Sequence, residues 1–295
     1  MKTCTSYIHE YDLTDDLNAT IVETCNILEQ ASVDYDNLIH KYELVSFFEE
    51  NVDDEEFITE KEGIFTRIGN GVINLIKKIG EIIKNITTKI TGKSDGADKD
   101  KATVDVMLAR HPEYRNDVIE GIQKEWFTFK DIAKYEKDIV GLTLQLEQHK
   151  IDHATFSTKC KLALERFNES AAPIEAVSTT ISKLLEALGK IFKELKEGKS
   201  SLSNIKKALE KKAKKSNDAS GKQVKESTEG DSGIFLACEG VEINDTNIIV
   251  KAFTTAVSVI KAAIDKEFQI YDAIVARIKN YLKSKLYKGK DDEEK

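Results

Sequence analysis

Residues 62–86 read EGIFTRIGNGVINLIKKIGEIIKNI, and this stretch decides the fold class. Its isoleucines and other apolar residues recur at steps of three and four, which is the spacing of one face of an α-helix. Most of the positions between them are basic or polar. The stretch therefore predicts a basic amphipathic helix with one continuous apolar face.

Very long helices are permitted along the whole sequence, because Pro112 and Pro173 are its only prolines in 295 residues. Proline interrupts helix interiors by removing a backbone donor and clashing with the preceding turn. A single tryptophan and an aromatic content of 7% argue against a broad β-sandwich. We predict an all-α fold of long amphipathic helices packed as an elongated bundle, with residues 234–243 forming either one small β-hairpin or a buried loop.

Composition divides the sequence into six regions. Apolar residues in 174–195 alternate at steps of three and four and predict a coiled-coil-like heptad seam. Pro173 fits the first turn of that helix, and Gly198-Lys199-Ser200 is expected to end it. The regions are an acidic helical N-terminal region (1–62), the basic amphipathic helix (63–92), a helical bundle containing the seam (103–215), a loop or hairpin (216–247), a long C-terminal helix capped at Asp245 or Thr246 (248–287) and a disordered tail (288–295).

Opposite charges adjoin each other in the first third of the sequence. Residues 1–62 carry seventeen acidic residues against three lysines, whereas residues 63–92 carry five basic residues against Glu81 alone. Such neighbouring regions can pair within one fold. The overall net charge of −8 argues against specific or general nucleic-acid recognition, which requires a basic surface. The lysines at 206–215 are interpreted as a solvated helix face.

The sequence carries no motif that identifies a catalytic or cofactor site. It has neither a G-x-x-x-x-G-K-[ST] phosphate loop, nor a dinucleotide fingerprint, nor G-x-S-x-G. Its four cysteines lack the C-x-x-C spacing of zinc ribbons and thioredoxins, and they predict free thiols in a reducing compartment. We therefore predict a protein that is not an enzyme and needs no cofactor.

His149, Asp152 and His153 are the candidate residues for a metal site. The two histidines have the four-residue spacing that can hold a metal on one helix face. A third convincing ligand and the H-E-x-x-H arrangement are both missing. Exposed polar side chains are the better interpretation, so no metal is predicted.

Targeting signals are also missing from the sequence pattern. The N-terminal residues lack the apolar stretch of a secretory signal peptide, so secretion by that route is not expected. No run of about 18 uncharged apolar residues occurs, so no transmembrane span is predicted.

Two functions are open for the helix at 63–91. It is either a core or interface helix packed on its neighbours, or an element that lies on and disturbs a bilayer with lysines at the rim. In either case the residues expected to contact a partner or membrane are Ile64, Phe65, Ile68, Val72, Leu75, Ile76, Ile79, Ile82, Ile83 and Ile86.

Residues 60–91, from Glu60-Lys61-Glu62-Gly63 to Ile90-Thr91, resemble a segment of virion structural and internal head proteins of large tailed bacteriophages. In both, an acidic region precedes a charged residue, a glycine and an Ile/Lys-rich helix. The resemblance implies a protein packaged inside, or built into, a phage particle. It also implies processing after Ile/Leu-x-Glu, a pattern that Ile58-Thr59-Glu60 matches, which makes Glu60 a candidate cleavage site.

The resulting expectation is a non-enzymatic virion structural or internal capsid protein that acts by helix–helix assembly. Its partners would be other copies of itself or other virion proteins, and it would be made in the host cytoplasm and located in the virion. The alternative is a helical membrane-permeabilising protein whose basic helix 63–91 is masked by the acidic region 1–62.

Overall fold

A computed structural model describes residues 15–48, 54–90, 97–119, 127–129, 131–173, 179–222 and 232–293. Nearly all of these residues are helical, which confirms the all-α prediction. The α-helices in these ranges are α1 (Asp15–Phe48), α2 (Asp54–Ile90), α3 (Ala97–Arg110), α4 (Ile132–Glu147), α5 (His153–Glu169), α6 (Ile181–Lys222) and α7 (Ser232–Glu293). A 3₁₀ helix at Pro112–Asn116 follows α3.

The β structure is small and lies at a different place from the predicted one. Strand β1 (Val118–Ile119) pairs with β4 (Thr179–Thr180), and β2 (Phe127–Phe129) pairs with β3 (Ala171–Pro173), both antiparallel. The two pairings join the segment before α4 to the segment after α5. Pro173 therefore ends a strand and does not open a helix, and the helix of the seam begins at Ile181.

Residues 234–243 are helical in α7, so the hairpin or loop predicted there is wrong. Ile234 to Cys238 is a short apolar run, and in such a run periodicity does not distinguish a strand from a buried helix segment. Gly240 lowers helix stability by only about 1 kcal/mol, which a long helix tolerates. The loop or hairpin region 216–247 is likewise helical up to Lys222 and again from Ser232.

Three other boundaries differ from the prediction. Helix α2 begins at Asp54, so no boundary lies between 62 and 63; acidic residues suit a first turn because they complement the helix dipole. Helix α6 continues past Gly198 to Lys222. Helix α7 extends to Glu293 through most of the predicted disordered tail, since an existing helix adds residues at little cost.

The chain divides into two compact units, and the longer helices contribute to both. The first unit contains α1, α2 up to Glu81, α4 from Glu136, α5 up to Leu162, α6 from Leu202 and α7 up to Val259. The second contains the rest of these helices together with α3, the 3₁₀ helix and the four strands.

Helix α7 is buried around its circumference in the first unit. Seven residues from Phe253 to Val259 include six that are at most 5% exposed, so this part of the helix has no wide face toward water. Two of them are polar, and each is satisfied inside the helix. Thr254 donates to the carbonyl of Val250, and Ser258 donates to the carbonyl of Thr254.

The seam of α6 forms part of the core of the second unit. Ile181, Leu184, Leu188, Ile191 and Leu195 are all buried, so the apolar positions of the predicted seam face the core over 181–195; the seam positions at 174–178 lie outside the described residues. Gly198 continues this face. A Cβ placed there would lie 2.7 Å from Cδ1 and 2.8 Å from Cγ1 of Ile264 in α7. Gly198 is thus a close-packing position and not a helix stop.

We predict that Gly198→Ala lowers the free energy of unfolding by about 1–3 kcal/mol, because the added methyl group overpacks a fully buried isoleucine. Gly189→Ala is the matched control in the same helix, since its Cβ would meet nothing within 4 Å. That substitution should raise stability by up to about 1 kcal/mol through helix propensity. Denaturant unfolding of both variants tests this, and equal effects would contradict it.

Candidate functional site

The apolar face of α2, the candidate contact element, is turned into the chain's own core. In the first unit Ile64, Ile68, Val72, Leu75 and Ile79 are 0–4% exposed. In the second unit Ile82 and Ile86 are also buried. The three residues that widen the face, Phe65, Ile76 and Ile83, are half-buried.

Helix α1 covers this face in the first unit. The rings of Tyr35 and Phe65 meet edge to face, with 6.3 Å between their centroids. Further along, Ile27 packs on Gly71, where an added Cβ would lie 3.3 Å from Cγ2 of Ile27. The glycine therefore lets the two helices approach closely at this point.

Ion pairs flank the contact between α1 and α2. Arg67 contacts Asp34 at 2.7 Å, and Lys41 donates to Glu56 at 3.0 Å and to Glu60 at 3.3 Å. Hydrogen bonds from Gln30 and then from Arg67 lower the pKa of Asp34. Charge pairing between the acidic and basic regions therefore occurs through Arg67 and Asp34, whereas the pairs of Lys41 lie within the acidic region. Exposed pairs of this kind contribute little to stability.

Helix α1 is also tied to α7 in the first unit by polar contacts. Asn247 is buried and donates from Nδ2 to the carbonyl of Leu28 at 3.2 Å. Lys251 contacts Glu29 at 2.7 Å. The sequence pattern does not single out Asn247. The one available signal is an amide in a long apolar stretch, a position where burial requires a hydrogen-bond partner.

Asp245 does not cap a helix. It lies inside α7, is 7% exposed, and its Oδ1 lies 2.6 Å from Nε2 of His153. This contact joins the first turn of α5 to α7 within the first unit. His153 thus gives the buried carboxylate of Asp245 a polar partner.

His149 and Asp152 define the turn between α4 and α5. His149 has a φ of 51°, and the amides of His149 and Lys150 bond to the carbonyls of Leu146 and Gln145, which is a left-handed helix C-cap. Asp152 accepts from the amide of Thr155 at 2.7 Å, the geometry of an N-cap, and this bonding lowers its pKa. The two histidines therefore do not share a helix face.

No cluster of three or more potential metal ligands occurs among the residues that the structure describes. A cavity of about 50 Å³ lies in the first unit between α4, α6 and Phe253 of α7. Ligand pockets usually measure about 300–1,000 Å³, so this cavity does not fit a substrate of ordinary size. Its polar lining consists of Thr143, Lys211 and the ion pair of Lys212 with Glu147.

Glu60 lies within helix α2 and not in an extended segment. Its carboxylate is about half exposed and bonds to Lys41. A protease that needs an extended backbone would therefore reach the peptide bond after Glu60 only once the first turns of α2 have unwound.

One stretch of α7, Asp245–Leu286, is long and apolar enough to cross a membrane by length and composition. The most apolar 18 residues of this stretch have a mean hydropathy of 1.5, and 67% of them are buried inside the chain. Lys251 and Lys261 interrupt the stretch, so it contains no long uncharged run. A core helix covered by its neighbours meets the same criterion.

Comparisons with protein-family models, with curated proteins and with solved structures returned no match.

Glu136 of α4 provides a pH test of the core. It is 4% exposed and accepts from Asn204 of α6 at 3.3 Å, and burial raises its pKa above the ordinary 4.5. Below that ordinary pKa both the folded and unfolded states hold the proton. As the pH rises, the unfolded state releases it first, so the wild type loses stability.

We expect Glu136→Gln to be more stable than the wild type at about pH 7, and the difference to shrink toward about pH 3.5. Urea unfolding across this range measures the difference. Glu165→Gln, at an exposed position of α5, is the control for a change of charge alone. A constant difference at all pH values would contradict the prediction.

Proposed function

We propose that this protein is a non-enzymatic structural component of a bacteriophage particle, an internal capsid protein or part of the capsid. Its partners are other copies of the chain or other virion proteins, and it acts through helix–helix packing. The observation that carries the proposal is the state of α2. Residues 60–90, which resemble phage head proteins, form one helix whose apolar face is covered by the chain itself.

Two features support a packing role over a chemical one. The apolar side chains of the described helices are mostly buried within the chain, as in the seam of α6 and the enclosed part of α7. The cavity beside Phe253 is too small for an ordinary substrate, and Lys212 and Glu147 in its wall neutralise each other. Both features are typical of a protein that acts by packing and not by binding a small substrate.

Processing after Glu60 is a separate part of the proposal. Cleavage there would remove α1 and the first turns of α2, and with them Tyr35 and Ile27, which cover the apolar face. A trimmed copy would need a new partner on that face. Within a particle, another virion protein would supply it.

Mass spectrometry of the particles made by the source organism tests the proposal. We expect peptides of this chain beside capsid proteins in purified, nuclease-treated particles. A chain whose N-terminus is Lys61 would support cleavage after Glu60. Peptides from residues 15–48 in the particle would contradict the cleavage but not the virion assignment. Absence from particles, with abundant chain in the lysate, would overturn the virion assignment.

A second candidate rests on the packing of α1 over α2. We infer that, if the protein permeabilises membranes, α1 is the mask: it covers the basic amphipathic helix through Tyr35 and Ile27 and pairs with Arg67. Its release would expose isoleucines with lysines beside them, which suits an interfacial helix.

A disulfide between Ile27→Cys and Gly71→Cys tests this candidate in the full chain. The relevant Cβ separation is 3.7 Å, close to the disulfide mean of about 3.8 Å. The native cysteines are first replaced. The oxidised variant should then leave anionic vesicles intact, and the reduced variant should cause dye to leak from them. Gly71→Cys alone is the control for oxidation.

Adding Ile76→Asp and Ile83→Asp to the reduced variant should abolish leakage if α2 enters the bilayer. Vesicles that stay intact with both the reduced variant and the wild type would exclude the second candidate. Leakage that is equal in the oxidised and reduced forms would exclude α1 as the mask.

A further inference from the structure

The apolar faces of the described helices are used inside the chain, so they leave little for contact between copies. The large apolar residues that remain exposed in the described part are single ones on five different elements: Val33, Val106, Val118, Leu144 and Leu162. Isolated exposed apolar residues do not make a docking surface. Any assembly of copies must therefore use polar or charged surfaces.

One charged surface of the first unit, the lysine patch, consists of Lys206, Lys207 and Lys211 on α6 and Lys77 on the neighbouring α2, and Lys211 also borders the cavity beside α4. The two helices are neighbours here, because a Cβ at Gly80 would lie 3.7 Å from Nζ of Lys206, an ordinary contact distance. Lys77, Lys207 and Lys211 are exposed. Residues 202–222 of α6 carry seven lysines against two acidic residues.

Nearby acids neutralise only part of this patch. Glu210 contacts Lys206 at 3.5 Å, and Glu81 contacts Lys78 at 3.1 Å. Among the described residues, Lys77, Lys207 and Lys211 form no ion pair. The patch therefore keeps a positive potential.

The second charged surface is an acidic end at the start of α2, made of Glu56, Glu60 and Glu62. The sequence around it, residues 49–62, carries eight acidic residues against Lys61. Lys41 bonds to Glu56 and Glu60, while Glu62 is exposed. The acidic end therefore keeps a negative potential.

Helix α2 holds these two surfaces apart. Glu60 and Lys77 are seventeen residues apart in one helix, which is about 25 Å at 1.5 Å per residue. Screening at physiological ionic strength acts over about 8 Å. The acidic end and the lysine patch of one copy therefore do not neutralise each other.

We propose that copies of this chain associate head to tail, the acidic end of one copy binding the lysine patch of the next. This inference concerns the chain before any cleavage after Glu60, since cleavage would remove most of the acidic end. It rests on the proposed function, which it deepens by naming the partner as a second copy and the contact as electrostatic. Because two different surfaces meet, the contact is heterologous and leaves a binding surface at each end. Assembly therefore continues beyond a dimer or closes into a ring.

The observations favour a second copy over nucleic acid or a bilayer. Nucleic acid is a polyanion, so the acidic end and the net charge of −8 repel it. A bilayer-binding helix presents large apolar residues beside its lysines, and α6 has none among its described exposed residues.

Sedimentation velocity of the full chain at about 50 mM and about 500 mM ionic strength tests the proposal through screening. At low ionic strength the weight-average mass should rise to at least about twice the 33.2 kDa of one copy, and at high ionic strength it should return to one copy. Lys207→Glu with Lys211→Glu should stay at one copy in both. Lys159→Glu with Lys161→Glu, exposed on α5, is the control of equal charge change and should associate like the wild type.

Charge exchange makes the test specific. Glu60→Lys with Glu62→Lys should also stay at one copy, with helix content verified by circular dichroism; Glu62→Lys alone serves if the pair does not fold. An equimolar mixture of the lysine-patch variant and the acidic-end variant should associate again, because each supplies the charge that the other lacks.

A wild type that stays at one copy at low ionic strength, or a mixture that does not associate, would overturn the proposal. Binding of duplex DNA or anionic vesicles by the patch without self-association would overturn it in favour of those ligands. These results leave the virion assignment untouched, since presence in particles is measured separately. Conversely, salt-sensitive association of a chain absent from particles would overturn only the virion assignment.

Discussion

The enclosure of α7 is the constraint on which the rest of the structure depends. A helix without a wide water-facing side must be covered by other helices around it, and each of them must then bring an apolar stripe of its own. In the first unit α1 meets this demand and is fixed to α7 by Asn247 and Lys251. In the second unit α6 approaches α7 so closely that a methyl group at position 198 would force the side chain of Ile264 to shift.

The same constraint explains why α7 looks like a membrane helix by composition. Its polar side chains are those that a dry environment tolerates. Thr254 and Ser258 return their hydroxyl hydrogens to carbonyls of their own helix. Asp245 is paired with His153. Burial inside protein and burial inside lipid select similar sequences, so composition alone does not separate the two.

Much of the fold follows from local pattern, and most of the site does not. Apolar residues at steps of three and four predicted the buried face of α2 and the seam of α6, because periodicity depends only on the helix itself. Gly198 and Asp245 were interpreted as a helix end and a helix cap, roles that the same residues also fill when they pack against a distant helix. The identity of that distant helix has no local signal: Asn247 and Leu28 are 219 positions apart.

The candidate site shows this limit most clearly. The pattern of residues 62–86 predicted an apolar face but not what covers it, since a core helix, an interface and a membrane helix need the same spacing. Tyr35 is a buried residue of α1 and Ile27 a half-buried one, and only the folded structure shows that they lie on Phe65 and Gly71. The turn residues His149 and Asp152 were similarly ambiguous, because caps and metal ligands use the same side chains.

The strand pair β2–β3 has a consequence for the order of folding. Phe129 lies opposite Ala171, so this pairing closes a loop of residues 130–170. Closing so long a flexible loop costs entropy that a few strand hydrogen bonds repay poorly. Helices α4 and α5 remove most of that cost, because the caps at His149 and Asp152 reverse the chain and Tyr135 stacks on Phe167 with 5.0 Å between ring centroids. The strands therefore close a loop that the helical hairpin has already shortened.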